Sequence, residues 1–413
     1  MKRGLLLLPL LWLACSTDNG DNVFGPQFGP NGANDASADG APITGDDDGG
    51  GTTTDGGGDD GASGDSAVPC TAGTVGVLAG GDAALTGAIR TGNGAWTGAA
   101  ISGGSATDKP ALVAFGSGFL GLTRGTGDVL VSTAYTTSWS TATTFGNSGV
   151  KGPPALTVVG TSAHLVYSAG SGPNRDYAHG IHDGNAWNTA DAIVGTGVAN
   201  DHSFGTVGAG LGTAGTTVVF VENGTDYNLY TRTFDSAWSG ATQITGASSI
   251  GADVPTPPVL VSATTAWDVV AVYVAKTTRR LSYATRDSGT KAWTDRGVIH
   301  DFATTNEPFT FARISSSIYV VAFRGQDNNG YYANGTVNGS GGITWTAAQS
   351  IGGGGPVAVD ATPAIAKGIC GDDAIVVYAT SSTVKATRLR GTTWTPAENV
   401  TGASGGHVAV AVR

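Results

Sequence analysis

Beyond residue 70 the chain reads as a succession of short apolar and polar stretches, and nowhere does it carry the 3.6-residue period of a helix. The most apolar stretches are AHLVYSAG (163–170), TTVVFVENG (216–224), WDVVAVYV (267–274), SIYVVAFRG (317–325) and AIVVYATS (374–381). In the fourth of these, Ile318, Val320 and Ala322 alternate with Tyr319, Val321 and Phe323, so both faces are apolar. A strand of this kind belongs in a sheet that is covered on both sides. Each apolar stretch has neighbours of a fixed kind. A proline-led segment often precedes it, beginning at Pro110, Pro154, Pro258, Pro308 or Pro363. A third segment follows a turn, as in DYAHGIHDG, YNLYTRTFD, LSYATRD and VKATRLRG. The fourth opens on tryptophan.

Those tryptophans give the repeat. Trp96, Trp139, Trp187, Trp238, Trp293, Trp345 and Trp394 lie 43, 48, 51, 55, 52 and 49 residues apart, and each opens a phrase such as AWSGATQITG or TWTPAENVTG. The unit is therefore four short strands in roughly fifty residues, a length typical of propeller blades. One such unit cannot bury its own apolar faces. Radial stacking covers them and leaves only short, protected edges. The expected fold class is all-β: a seven-bladed β-propeller of four-stranded antiparallel blades. The first unit has only TVGVLAGG, ALTGAIRTG and AWTGAAIS, without a proline-led strand, while the chain ends on one strand too many, HVAVAVR (407–413). That last strand is expected to complete the first blade and seal the ring.

The N-terminal part is different. Residues 1–14 form a basic start, Met1-Lys2-Arg3, and an apolar run from Leu5 to Leu13 that is too short to span a bilayer. They read as a secretory signal peptide. Residues 15–69 form an Asp/Gly-rich tether; from residue 16 on it holds 11 Asp and no Lys or Arg. Such a segment cannot bury enough apolar surface to offset its ordering entropy and is expected to be disordered. As a coil its reach is roughly 40 Å. Residues 70–413 are the propeller. The chain's formal net charge of −11 equals the charge of the tether alone; the signal carries +2 and the region from residue 71 onward −2. A nearly neutral domain offers nucleic acid no electrostatic footprint.

Three resemblances add expectations. Leu13-Ala14-Cys15-Ser16 resembles the lipobox of bacterial lipoproteins, with Trp12 where that family prefers leucine. It implies an acylated Cys15, a membrane-attached protein and a place in the bacterial cell envelope, as an outer-membrane lipoprotein facing the periplasm or the exterior; the alternative is an ordinary cleaved signal. Thr285-Arg-Asp287-Ser-Gly289-Thr-Lys-Ala-Trp293 resembles the Asp-box of BNR, sialidase-like propellers with one residue inserted, and Asp183 and Asp235 begin shortened versions of it. PALVAFGSGFLGLTRGTGDVLVSTAYTTSWS (110–140) and FRGQDNNGYY (323–332) are similar to the repeats of bacterial seven-bladed lectins. The last resemblance implies sugar sites between blades, with Arg124, Asp128, Arg324 and Asp327 as the ligand-binding residues, and it requires that these arginines stand in open clefts.

The sialidase resemblance implies an arginine triad and paired carboxyls, and no such set stands out; the domain's only glutamates are Glu222, Glu307 and Glu398. No catalytic residue, cofactor or metal is assigned. His179 and His182 form H-x-x-H, but three residues apart on a strand they face opposite ways. In an exported chain Cys70 and Cys370 are candidates for a disulfide across the seam; the alternative is two buried thiols. The leading expectation is a lectin-like, carbohydrate-binding module displayed from a membrane. A protein-interaction scaffold that docks an envelope protein and a diverged sialidase-like glycosidase are the alternatives.

Overall fold

In the computed structural model the described residues run from Gly73 to Arg413, with interruptions at 83, 146–148, 170–175, 195–204, 209–215, 222–228, 245–257, 263–266, 276–277, 279, 304–307 and 340. The signal, the tether, Cys15, Cys70, Glu222 and Glu307 lie outside them. The propeller falls within the unit Asp65–Arg413. Its described residues contain strands, turns and no helix.

Every described strand belongs to one of seven antiparallel sheets, each named here by its repeat tryptophan. From inside to outside, the Trp139 sheet is Ala111–Phe115, Gly118–Gly125, Val129–Tyr135 and Thr143–Phe145. The Trp187 sheet is Lys151–Val159, Ser162–Ala169, Asp176–His182 and Trp187–Val194. The Trp238 sheet is Gly205–Gly208, Thr216–Val221, Leu229–Asp235 and Ala237–Trp238, with Thr242–Gln243 beside the last. The Trp293 sheet is Val259–Ser262, Trp267–Val274, Arg280–Asp287 and Trp293–Ala303. The Trp345 sheet is Thr310–Arg313, Ile318–Arg324, Gly330–Val337, Ile343–Trp345 and Gln349–Ser350. The Trp394 sheet is Ala364–Lys367, Ala374–Thr380, Thr383–Arg390, Thr393–Trp394 and Glu398–Ser404.

The remaining sheet is assembled from both ends of the chain. Its inner strand is His407–Val412, followed by Thr74–Gly81, Ala84–Thr91 and Thr97–Ile101. The join runs from Val75 opposite Val412 to Gly80 opposite His407, and Thr74 and Arg413 exchange two backbone hydrogen bonds of 2.9 Å. Neighbouring inner strands touch in a closed circuit, so the sheets stand around a central axis.

The expectation of seven blades is therefore corrected, while the four-stranded blade and the completion of the first sheet by the C-terminal strand are as expected. Six blades are continuous in the chain, and the other sheet is a composite of the chain's first three described strands and its last. In the Trp238, Trp345 and Trp394 sheets the fourth strand is split into two pieces, both paired with the third. The reason is local. In these three sheets the residue after tryptophan is Ser239, Thr346 or Thr395, and its hydroxyl accepts the backbone N–H of Thr233, Asn334 or Arg388 at 3.0 Å. The backbone N–H of the same residue returns a bond of 2.8–2.9 Å to that third-strand residue's carbonyl. A side chain replaces one rung of the ladder, and the outer strand breaks into two pieces. Ser140 makes the same pinch on Ala134 in the Trp139 sheet.

The tryptophans join one sheet to the next. Trp187 lies flat on Phe145 of the preceding sheet, ring centroids 5.0 Å apart and planes within 2°, and its indole N–H donates to Ser132 at 3.1 Å. Trp238 meets His179, Trp345 meets Tyr283 and Trp394 meets Tyr332, each edge to face with the preceding sheet. Trp293 packs with Leu229 and Ile244 of the sheet before it, and Trp96 with Val400 of the Trp394 sheet. Trp139 lies on Gly87, where a Cβ would stand 2.2 Å from the ring, so only glycine fits. Burying an indole removes 150–250 Å² from water, worth roughly 4–6 kcal/mol per wedge before ordering losses.

Gly87→Val therefore expels the Trp139 indole. It is expected to destabilise the fold by about 2–3 kcal/mol and to shift tryptophan emission to longer wavelength, read by thermal melts and fluorescence.

Candidate functional site

The functional side chains divide between the two ends of the sheets. Arg124 and Arg324 end second strands, so they stand at the end where the inner strands begin. Arg124 is half-buried and held by two carboxylates. Its Nε and Nη2 donate to Asp128 Oδ1 at 3.1 and 2.6 Å, and its Nη1 donates to Asp108 Oδ2 at 3.1 Å. Partial burial works against the charge, but the two carboxylates hold the guanidinium above its ordinary range. Three of its five N–H groups are thereby used and two stay available. Asp128 sits in the turn after the strand at φ 58°.

The structure does not treat the second pair like the first. Arg324 is half-buried, but Asp327 is turned back into its own loop. Asp327 accepts from the Asn329 backbone at 3.1 Å, from Asn329 Nδ2 at 2.7 Å and from the Tyr331 hydroxyl at 2.6 Å. Against its partial burial, these donors lower the carboxyl below its usual range, while desolvation and the carboxylate push the Tyr331 hydroxyl up to about 12.

At the opposite end stands a set that the sequence reading missed. Arg90, Arg232, Arg286 and Arg388 each lie near the end of a third strand, six or seven residues before Trp96, Trp238, Trp293 and Trp394. Arg286 forms a bidentate pair with Asp268 at 2.7 and 2.9 Å, reaches Thr233 of the neighbouring sheet at 3.1 Å and lies 5.8 Å from the Trp293 ring. Lys291 adds a second cation to Asp268 at 2.7 Å. Arg388 donates to Asn93 at 3.2 Å, across the seam of the composite sheet. Arg90, 5.7 Å from the Trp96 ring, ion-pairs across the same seam with Glu398 and donates to the Gly92 carbonyl at 3.2 Å. Arg90 is buried, and Glu398 is 38% exposed. The spacing Arg-x5-Trp or Arg-x6-Trp, found in four repeats, was the signal available in the sequence.

No family model matches the chain, and no curated protein does either. Among solved structures, the BP39L lectin from Burkholderia pseudomallei superposes with a TM-score of 0.62 at 16% identity, over 79% of this chain and 95% of that one. The two share the β-propeller fold. AofleA from Arthrobotrys oligospora gives a TM-score of 0.48 at 14% identity, over 74% and 89%, and the six-bladed lectin of Aleuria aurantia gives 0.44 at 14%, over 66% and 89%. The Asp-box positions of the propeller close turns. Asp287 accepts from the Gly289 and Thr290 N–H groups at 3.0 and 2.7 Å, and Asp183 from those of Asn185 and Ala186 at 2.8 and 3.1 Å. These bonds lower both carboxyls.

The propeller separates His179 from His182. His182 packs edge-on against Phe115 and Trp187, while His179 faces Phe234 and Trp238 and lies 3.1 Å from His164 across the strand pair. Among the described residues no group of three or more potential ligands converges. Burial, with the neighbouring His164, lowers His179 to about 4; burial lowers His164 as well. A histidine kept neutral in the fold is stabilising above its unfolded value of about 6.5, and that contribution is lost as pH falls toward about 4. The Trp187–Trp238 seam is therefore expected to lose about 2 kcal/mol over this window. His179→Gln should flatten the pH dependence of the melting temperature there.

Proposed function

We propose that this propeller binds carbohydrate and is displayed from the bacterial cell envelope by a lipid on Cys15, through the tether 15–69. The observation that carries the binding reading is the composite seam. There a half-open carboxylate (Glu398), backed by the buried Arg90 guanidinium and Trp96 indole, lies beside the Arg388–Asn93 pair. Vicinal hydroxyls are recognised by such donors and acceptors side by side. The lectin-like fold agrees with it. Arg124 with Asp128 and Arg324 with Asp327, on the opposite face, form the second candidate set; the two N–H groups left on Arg124 make its pair the stronger of the two.

A glycan array with the full chain is expected to show binding, and Glu398→Gln to weaken it about tenfold or more at little change in melting temperature. Binding that survives Glu398→Gln and falls in Arg124→Ala moves the site to the other face. Absence of binding to any glycan, together with co-purification of an envelope protein, replaces this reading with an interaction scaffold.

A Cys70–Cys370 disulfide belongs to the same exported design. Gly73 abuts Ile369, 2.8 Å from its would-be Cβ, which brings the chain three residues after Cys70 to the neighbour of Cys370. Cys370 is engaged, not free. Peptide mapping without reductant should recover a 70–370 cross-link, and Cys370→Ser should cost about 2–5 kcal/mol.

A further inference from the structure

Around the axis, the starts of the inner strands enclose a cavity of about 250 Å³. Its lining side chains are mostly apolar, with a collar of prolines at Pro110, Pro154, Pro258 and Pro308. Lys109 is the one charged side chain among its described lining residues. Its Nζ reaches across the axis and donates to the Phe309 carbonyl, just before the inner strand of the Trp345 sheet, at 3.2 Å. An ammonium has three N–H donors, so two are left without an acceptor among the described residues. Lys109 is part-buried on the cavity wall, so an anion held in the cavity can pair with these donors.

We propose that the axial cavity is a binding site for a small carboxylate with an apolar body, paired to Lys109. One cation matches one negative charge. A phosphate or sulfate dianion would be half-compensated and would lose its hydration against apolar walls, whereas a short aliphatic acid puts its tail on the prolines and its head on Nζ. The site is separate from the glycan reading, because neither Lys109 nor the collar belongs to the seam of Arg90 and Glu398.

Desolvation supports the assignment by lowering the free ammonium to about 7. The other titratable groups near it are Asp108 on its own segment, Arg124 with Asp128 behind that, and His407 at the start of the last strand. The inner strands beginning near Pro154, Pro258, Pro308 and Ala364 bring no charged side chain to the described lining. Asp108 is already committed, to its neighbour's backbone at 3.3 Å and to Arg124 at 3.1 Å. A bound carboxylate raises the Lys109 value. Binding is therefore fully developed below about pH 7, where the ammonium is already charged, and takes up a proton above it.

The test is calorimetric titration of the full chain with hexanoate, with hexanol and inorganic phosphate as controls. Hexanoate is expected to bind, with affinity nearly constant between about pH 6 and 6.5 and falling about tenfold between about pH 7.5 and 8.5. Lys109→Met should abolish binding, Lys109→Arg should retain it without the fall, and both variants should keep wild-type behaviour on the glycan array. The proposal is overturned if hexanol or phosphate binds as well as hexanoate, if Lys109→Met binds undiminished, if affinity is independent of pH, or if no hexanoate binds at about 10 mM, which corresponds to a binding energy weaker than about 3 kcal/mol.

Discussion

The wedge of an indole against the preceding sheet is the interaction on which the ring depends. A sheet of four or five short strands leaves two apolar faces, and no single sheet of this size can keep both dry. Stacking places the tryptophan of each outer segment on its neighbour: on Phe145, His179, Tyr283 or Tyr332, or on the bare backbone of Gly87. Six of the seven indole N–H groups are buried without a hydrogen-bond acceptor, Trp187 alone having Ser132. Several of the others are edge-on to aromatic rings, whose negative faces compensate the donors in part. Polar satisfaction has been given up for close contact, which identifies packing as the main role of the repeat tryptophans.

A ring of wedges is complete only when its two ends meet. The composite sheet achieves this by pairing Val75–Gly80 with His407–Val412. The seam between this sheet and the Trp394 sheet is also where polar groups gather: Arg90 with Glu398, Arg388 with Asn93, and Thr86 with Ser404 at 2.9–3.0 Å. The composite sheet thus joins the first and last described strands, and its seam with the Trp394 sheet sets a half-open carboxylate on a buried guanidinium beside an indole. In the Trp293 sheet the carboxylate of the corresponding pair is closed off as well, Asp268 being 11% exposed against 38% for Glu398. Arg286 gives Asp268 both ends of its fork, and Lys291 fills the space beside it. Repetition made several copies of one arrangement, and local charges decided which of them stay reachable.

The axis is built on the opposite principle. Five of the seven inner strands begin at or near a proline, which presents no N–H to the channel and brings apolar rings to its rim. Lys109 is the exception, adjacent to Pro110, and it is this break in an otherwise neutral collar that gives the cavity a chemical preference. Glycan-binding seams and an axial anion site would use different ends of the strands and need not compete.

The sequence alone determined the strand class, the roughly fifty-residue unit, the proline-led inner strand and the surplus strand at the C-terminus, because each is a local pattern of apolar spacing. It also contained the Ser or Thr after tryptophan and the arginine six or seven residues before it, although their meaning was not legible. What only the tertiary structure decided is which groups meet. Arg90 and Glu398 are 308 residues apart, Lys109 and Phe309 200, and Arg388 and Asn93 295. Arg124 and Arg324 look alike in sequence, yet the first is clamped between Asp108 and Asp128 while Asp327 beside the second closes its own turn. Local propensity is set within a few residues of chain, but the partners of a charge are set by the closing of the ring, which brings the two ends of the chain side by side.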